Sequence, residues 1–268
     1  MPGALPDRTI VHRLLHVATA ALAFIGALSS AACGSPPAPP ASTVPTTAEQ
    51  APAVKWPATG AFFGGPADDL GDHFCSGAVV DTPAGNVVMT AAHCVAAGDR
   101  SPARTGMSFV PGYHDHTAPY GVFTVTAAAV DDAWRDHADP DHDVAFVTVA
   151  RTDAPPVEQL TGGYHLVFDA GSDTAVDALG YPDFADAPTE RSGTTSRFSP
   201  TQLRLDAHGL YDGTSGGPWL RADGDTDVIA VTGGYQQGGL DPETSYATYL
   251  GDAAATLFAQ VEDGQPLN

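Results

Sequence analysis

The run Gly213-Thr214-Ser215-Gly216-Gly217-Pro218 sets one hydroxyl among glycines. A serine is a poor nucleophile until a base takes its proton. Flanking glycines let the backbone turn sharply, so neighbouring N–H groups can aim at an oxyanion developing on an attacked carbonyl. Upstream, Met89-Thr90-Ala91-Ala92-His93-Cys94 places an imidazole at the end of an apolar stretch, residues 86–90. Beside a serine, such a ring can act as general base and then as general acid. A third run, Asp141-His142-Asp143-Val144-Ala145-Phe146-Val147, sets carboxylates just before another apolar stretch. A carboxylate there can lie buried behind the imidazole, fixing its tautomer and stabilising its charged form. Asp136, Asp139, Asp141 and Asp143 all compete for that place. Local chemistry favours Asp143 only slightly, because it abuts the apolar run.

Chain order narrows the reading of the serine. The bare pattern Gly-x-Ser-x-Gly also describes the nucleophile elbow of α/β-hydrolases, whose base histidine follows the serine. All ten histidines here precede Ser215, so the elbow reading fails on order alone. Cys75 and Cys94 are the two cysteines of the part that folds. A bridge between them would tie the preceding strand to the His93 turn, and in an exported protein the pair is expected to be oxidised.

The elements that must hold these groups read as strands. Short runs rich in Val, Thr and Phe, among them 77–80, 86–90, 122–130, 144–149 and 228–232, alternate with Gly, Pro, Asp and Asn. No long segment keeps a helical period until 252–261, where Ala254, Leu257, Phe258 and Val261 share a face. An all-β sandwich or barrel with one terminal helix is expected. Composition and periodicity go no further.

Of 268 residues, 11 are Lys or Arg and 32 Asp or Glu, giving a net charge of −21, with Lys55 the single lysine. Such a chain repels phosphate backbones and anionic lipid, which argues against a nucleic-acid partner. Residues 1–32 read as a signal peptide: Arg8 and Arg13, then an apolar stretch at 14–28, then small residues. Ser30-Ala31-Ala32-Cys33-Gly34 resembles a bacterial lipobox, with Ser30 where leucine is usual. Lipidation at Cys33 would anchor the chain to the outer face of the cytoplasmic membrane; plain secretion is the alternative. Residues 33–55, rich in Pro, Ala, Ser and Thr, bury too little to order themselves and should form a tether.

Taken in order, Thr90-Ala91-Ala92-His93-Cys94, Asp143-Val144-Ala145-Phe146 and Gly213-Thr214-Ser215-Gly216-Gly217-Pro218 resemble the signature segments of trypsin-like serine peptidases. Small exported bacterial members are the nearest in character, and the resemblance spans residues 56–262. It implies His93 as base, Asp143 as its orienting partner, Ser215 as nucleophile, and the Gly213 and Ser215 N–H groups as oxyanion hole. Cys75-Ser76-Gly77 matches the family's disulfide strand, which supports a Cys75–Cys94 bridge. The implied fold is two six-stranded antiparallel β-barrels, at 56–157 and 158–268, with a C-terminal helix. The first barrel would carry His93 and Asp143, the second Ser215. The implied activity is endopeptidase action on polypeptides through an acyl-enzyme, by a monomer needing no cofactor or metal. The alternative is an inactive trypsin-like fold serving as a cell-surface binding protein.

Some positions depart from the family pattern. Thr214 stands where the digestive enzymes use an aspartate to bind a new amino terminus, and no Ile-Val-Gly-Gly-like start occurs near Trp56. The oxyanion loop is therefore expected to form without terminus insertion. Alignment puts Gly209 at the base of the substrate pocket, which disfavours trypsin-type specificity unless nearby Asp212 takes that place. Thr232, Gly233 and Gly234 align with the strand that binds substrate backbone, Gly233 replacing an aromatic, and Thr232 is a candidate hydrogen-bond partner of Asp143. Val231 stands where glutamate-specific relatives have histidine. His114-Asp115-His116 and residues 139–143 match no metal-binding spacing. They read as a surface loop and the edge of the active site; Trp134 and Trp219 read as core or cleft wall.

Overall fold

Six apolar runs in the first part of the chain become strands that close on themselves. They are β1 (Thr59–Phe63), β2 (His73–Val80), β3 (Val87–Thr90), β4 (Ser108–Pro111), β5 (Phe123–Val130) and β6 (Ala145–Ala150). In the computed structural model, which describes residues 54–224 and 226–262, they join antiparallel in the order β1-β2-β3-β6-β5-β4, and β4 pairs back onto β1. Closure leaves no edge strand to be protected. Residues 1–32, Cys33 and the tether up to 53 lie outside the described residues. β3 has no polar alternation because all four of its residues are buried. Two short helices interrupt the ring, α1 (Ala92–Val95) after β3 and α2 (Asp132–His137) after β5.

The next strand begins at His165, so the expected boundary at 157/158 falls in the connection, which holds α3 (Glu158–Thr161). The second half contains β7 (His165–Leu166), β8 (Ala175–Gly180), β9 (Thr189–Thr194), β10 (Ser196–Ser199) and β11 (Gln202–Leu205). It continues with β12 (Pro218–Arg221), β13 (Asp227–Thr232) and β14 (Ser245–Tyr249). These form a curled sheet, β10-β11-β14-β13-β12-β8-β9, with β7 beside β13. Its two ends are adjacent in the chain, since only Thr195 separates β9 from β10. Thr195 is buried, donates to Thr174 O at 2.9 Å and accepts from Asp173 N at 3.0 Å. Taken as one bent strand, β9–β10 gives this half six principal strands around a core that includes Leu203, Leu205, Trp219 and Ile229. The first ring thus closes by hydrogen bonds, the second through the covalent chain.

The terminal helix α4 (Asp252–Glu262) buries Ala254, Leu257, Phe258 and Val261, the face its sequence period marks. That face packs on the first ring, with the Phe258 and Phe146 rings 5.0 Å apart. Each such large side chain, fully buried, stabilises the fold by about 1.5–3 kcal/mol. At the other end, Trp56 Nε1 donates to Glu190 Oε2 at 3.2 Å and Lys55 pairs with the same carboxylate.

Candidate active site between the two rings

β3 delivers the chain to α1, whose single turn presents His93. The Cys75–Cys94 disulfide, Cα–Cα 6.2 Å, ties that turn to β2. Trp134 is 3% exposed, donates from Nε1 to Ala96 O at 3.0 Å and packs its ring 6.3 Å from the imidazole. On the other side Asp139 caps a short turn, Pro140–His142, by accepting from Asp141 N at 3.0 Å. That turn places Asp143 at the head of β6, fully buried.

The carboxylate of Asp143 grips His93 at two points: Oδ2 lies 2.7 Å from Nδ1, and Oδ1 accepts the His93 backbone N–H at 2.9 Å. Gly234 N adds a third bond, to Oδ2 at 2.8 Å, and Thr248 Oγ1 donates to the Asp143 carbonyl at 3.1 Å. A buried charge is tolerable only when so satisfied. An ionised carboxylate can only accept, so the imidazole proton is assigned to Nδ1, leaving Nε2 as the acceptor. The competing acids are engaged elsewhere. Asp136 pairs with Arg135 at 3.1 Å, and Asp141 accepts from Gln202 Nε2 at 2.6 Å. Hydrogen bonding, chiefly from Thr201, holds the Asp141 carboxyl below its usual range.

Ser215 comes from the loop between β11 and β12. Gly213 and Gly216 there take φ of +90° and +83°, a region other residues enter only with strain. Neither Gly213 N nor Ser215 N has a hydrogen-bond acceptor among the described residues. The loop is tied to β2, with Ser76 N donating to Ser215 O at 2.7 Å and Ser76 Oγ to Gly213 O at 2.9 Å. Ser215 and His93 line one cleft, together with Phe74, Arg104 and Gln237. The Ser215 hydroxyl donates to Gln237 O at 3.2 Å.

Gln237 also borders an adjoining cavity of about 340 Å³, reached from Ser215 and lined by Leu210, Tyr211, Asp212, Thr214 and Thr232. Asp183 and Asp241 add to its acidic lining, and the exposed side chains of Phe184 and Leu240 border it. Gly209 stands behind this lining: its N–H donates to Pro242 O at 3.0 Å, and a Cβ there would meet the Arg191 guanidinium at 2.6 Å. Of the two candidate positions, Asp212 lines the cavity and Gly209 does not. Thr232 does not bond Asp143; its Oγ1 accepts from Trp219 Nε1 at 2.9 Å, and Gly234 N serves Asp143 instead. Gly233 is explained by that same contact, because a Cβ there would lie 2.9 Å from Asp143 Oδ2.

Cys75, His93 and Cys94 are the one grouping of metal-ligand type among the described residues, and the two sulfurs are bonded to each other. His114 Nδ1 lies 2.8 Å from Gly112 O, and His116 pairs with Asp186 at 2.9 Å, so the two rings do not converge on one point. Gln202, Gln237 and Thr248 carry no motif that would have flagged them, and Ser76 stands in a run noted only for its disulfide; each joins the site through hydrogen bonds that only the fold creates.

Residues 75–231, more than half of the chain, match the family described as the trypsin-like peptidase domain. No curated protein sequence matches. Among solved structures, the protease Anisep from Arthrobacter nicotinovorans is 23% identical, covering 77% of this chain and 96% of that one, with a TM-score of 0.67. A thermostable serine protease, AL20, from an extremophilic microorganism is 22% identical over 78% of this chain and 99% of that one, TM-score 0.68. A Glu endopeptidase is 19% identical over 78% and 92%, TM-score 0.63. At these identities the likeness speaks for the fold, and the family rests on the motif-bearing match: the chain belongs to the trypsin-like peptidase domain family.

Proposed function

We propose that this protein is an exported serine endopeptidase in which Ser215, His93 and Asp143 act as the catalytic triad. The observation that carries the reading is the two-point grip of Asp143 on His93 beside a cleft shared with Ser215. A substrate carbonyl seated over Ser215 would draw its hydroxyl from Gln237 O to His93 Nε2 by rotation about χ1. Nε2 takes the proton as Oγ attacks, and the carbonyl oxygen becomes an oxyanion held by the Gly213 and Ser215 N–H groups. Collapse expels the amine, which takes the proton from His93, and an ester to Ser215 remains. Water, deprotonated by His93, then attacks the ester; the acid leaves and Ser215 Oγ takes the proton back from His93.

The acidic lining of the adjoining cavity supports cationic or neutral side chains over acidic ones at the residue before the scissile bond. A diverse peptide library tests both points. Internal cleavage is expected, absent in Ser215→Ala and poor after Asp or Glu; no cleavage by the folded parent sinks the reading. One observation favours the rival, an inactive binding protein: Ser215 bonds Gln237 rather than His93. The same library separates the two. For the anchor, Cys33→Ala should shift the protein from the membrane fraction to the medium, and unchanged partitioning argues against lipidation.

A further inference from the structure

Ser76 belongs to β2 of the first ring, yet its side chain and N–H serve the loop of the second. It is fully buried; its hydroxyl donates to Gly213 O at 2.9 Å and accepts from Tyr181 N at 2.8 Å, and its N–H donates to Ser215 O at 2.7 Å. The peptide before Gly213 is pinned as well, since Asp212 O accepts from Asp183 N at 2.8 Å. In a trans peptide the N–H points opposite to the C=O. With Asp212 O directed at Asp183, the Gly213 N–H is turned away from Asp183, and Gly213 is one of the residues that line the cleft with His93 and Ser215. The peptide after Gly213 is held by the Ser76 hydroxyl. Gly213 sits at φ +90°, and a Cβ there would lie 2.5 Å from Asp183 N. Glycine permits this conformation but does not enforce it, so the fixing must come from these bonds. Thr214 supplies no charge to help; its hydroxyl turns back to Tyr211 O at 2.7 Å.

We propose that Ser76 is a positioning residue: from the first ring it latches the Gly213 backbone so that the Gly213 and Ser215 N–H groups stand ready as an oxyanion-binding pair. The assignment rests on the serine-hydrolase reading above. It replaces a charged amino terminus with a neutral, buried hydroxyl that is in place as soon as the two rings meet. Activity then requires no new N-terminus.

The test compares Ser76→Ala with Tyr164→Phe, which deletes a different buried hydroxyl contact, to Thr59 Oγ1 at 2.9 Å. Both variants lose stability. On folded enzyme, Ser76→Ala should lower kcat about a hundredfold, the scale of losing one oxyanion donor, with KM within about twofold. A peptidyl aldehyde, whose hemiacetal oxygen needs the same N–H groups, should weaken by a similar factor, while Tyr164→Phe keeps the parent kcat. If alanine at 76 does not fold, Ser76→Gly leaves room for a water between Gly213 O and Tyr181 N and should show a smaller loss of the same kind. Parental kcat in the folded Ser76 variant, or a loss confined to KM, overturns the latch alone. A folded parent that neither turns over nor labels at Ser215 overturns the hydrolase reading and the latch with it.

Discussion

The ring that holds His93 and Asp143 is closed by hydrogen bonds, stapled by Cys75–Cys94 and braced by α4. The ring that holds Ser215 closes through Thr195, has no disulfide among the described residues, and carries that serine on a loop of positive-φ glycines. A histidine and a carboxylate that must keep a 2.7 Å contact are best fixed within one rigid unit. The Ser215 loop uses backbone conformations that no strand offers, and it is hydrogen-bonded from outside by Ser76 and Asp183. The first half is therefore the scaffold of the site, and damage to it should reach the chemistry of the second.

The largest expected effect comes from the proton relay. Asp143→Asn would present the wrong hydrogen-bonding partner to Nδ1 and should reduce kcat/KM by about 10⁴-fold. Steady-state kinetics check it, and a loss below about tenfold would mean that His93 does not depend on its partner. Next in size is the staple. Replacing Cys75 and Cys94 by alanine opens a loop of sequence separation 19 and should cost about 3 kcal/mol in urea unfolding. Activity should drop before unfolding is complete, because the His93 turn loosens first; loss of activity in step with global unfolding would blur the contrast between the halves. Smallest is Lys55→Ala. The Lys55 hydrogen bond holds the Glu190 carboxyl below its usual range, so the pair's contribution is present above the ordinary glutamate range and is lost as pH falls from that range through the lowered folded value. With Lys55 two-thirds exposed, the loss should stay under about 1 kcal/mol and shrink in high salt.

Much of this arrangement is written locally in the sequence. Residues 77–80, 86–90, 122–130, 144–149 and 228–232 lie in or overlap β2, β3, β5, β6 and β13, because short runs rich in Val, Thr and Phe suit strands. The helix at 252–261 matches α4 because its buried residues recur at the helical period. β9, Thr-Glu-Arg-Ser-Gly-Thr, has no apolar run at all; it is held by its ladder to β8 and by Thr195, neither of which is visible locally. Within the site, His93 and Ser215 stand in runs that announce them, whereas local chemistry favours Asp143 over Asp136, Asp139 and Asp141 only slightly, and its contact with His93 comes from 50 residues away along the chain. Gly209 and Asp212 show a related limit: which of two residues three apart faces a cavity depends on how the loop bends, and the bend is set by Arg191 and Pro242. The support of α4 by the first ring is likewise a matter of tertiary packing.

The central claim is that the scaffold of one half activates a serine on the other. Labelling with a fluorophosphonate, followed by mass spectrometry of the adduct, tests it most directly. One adduct on Ser215 is expected in the parent, strongly slowed in His93→Ala and absent in Ser215→Ala. A folded parent without an adduct, or with one on another residue, would contradict the account.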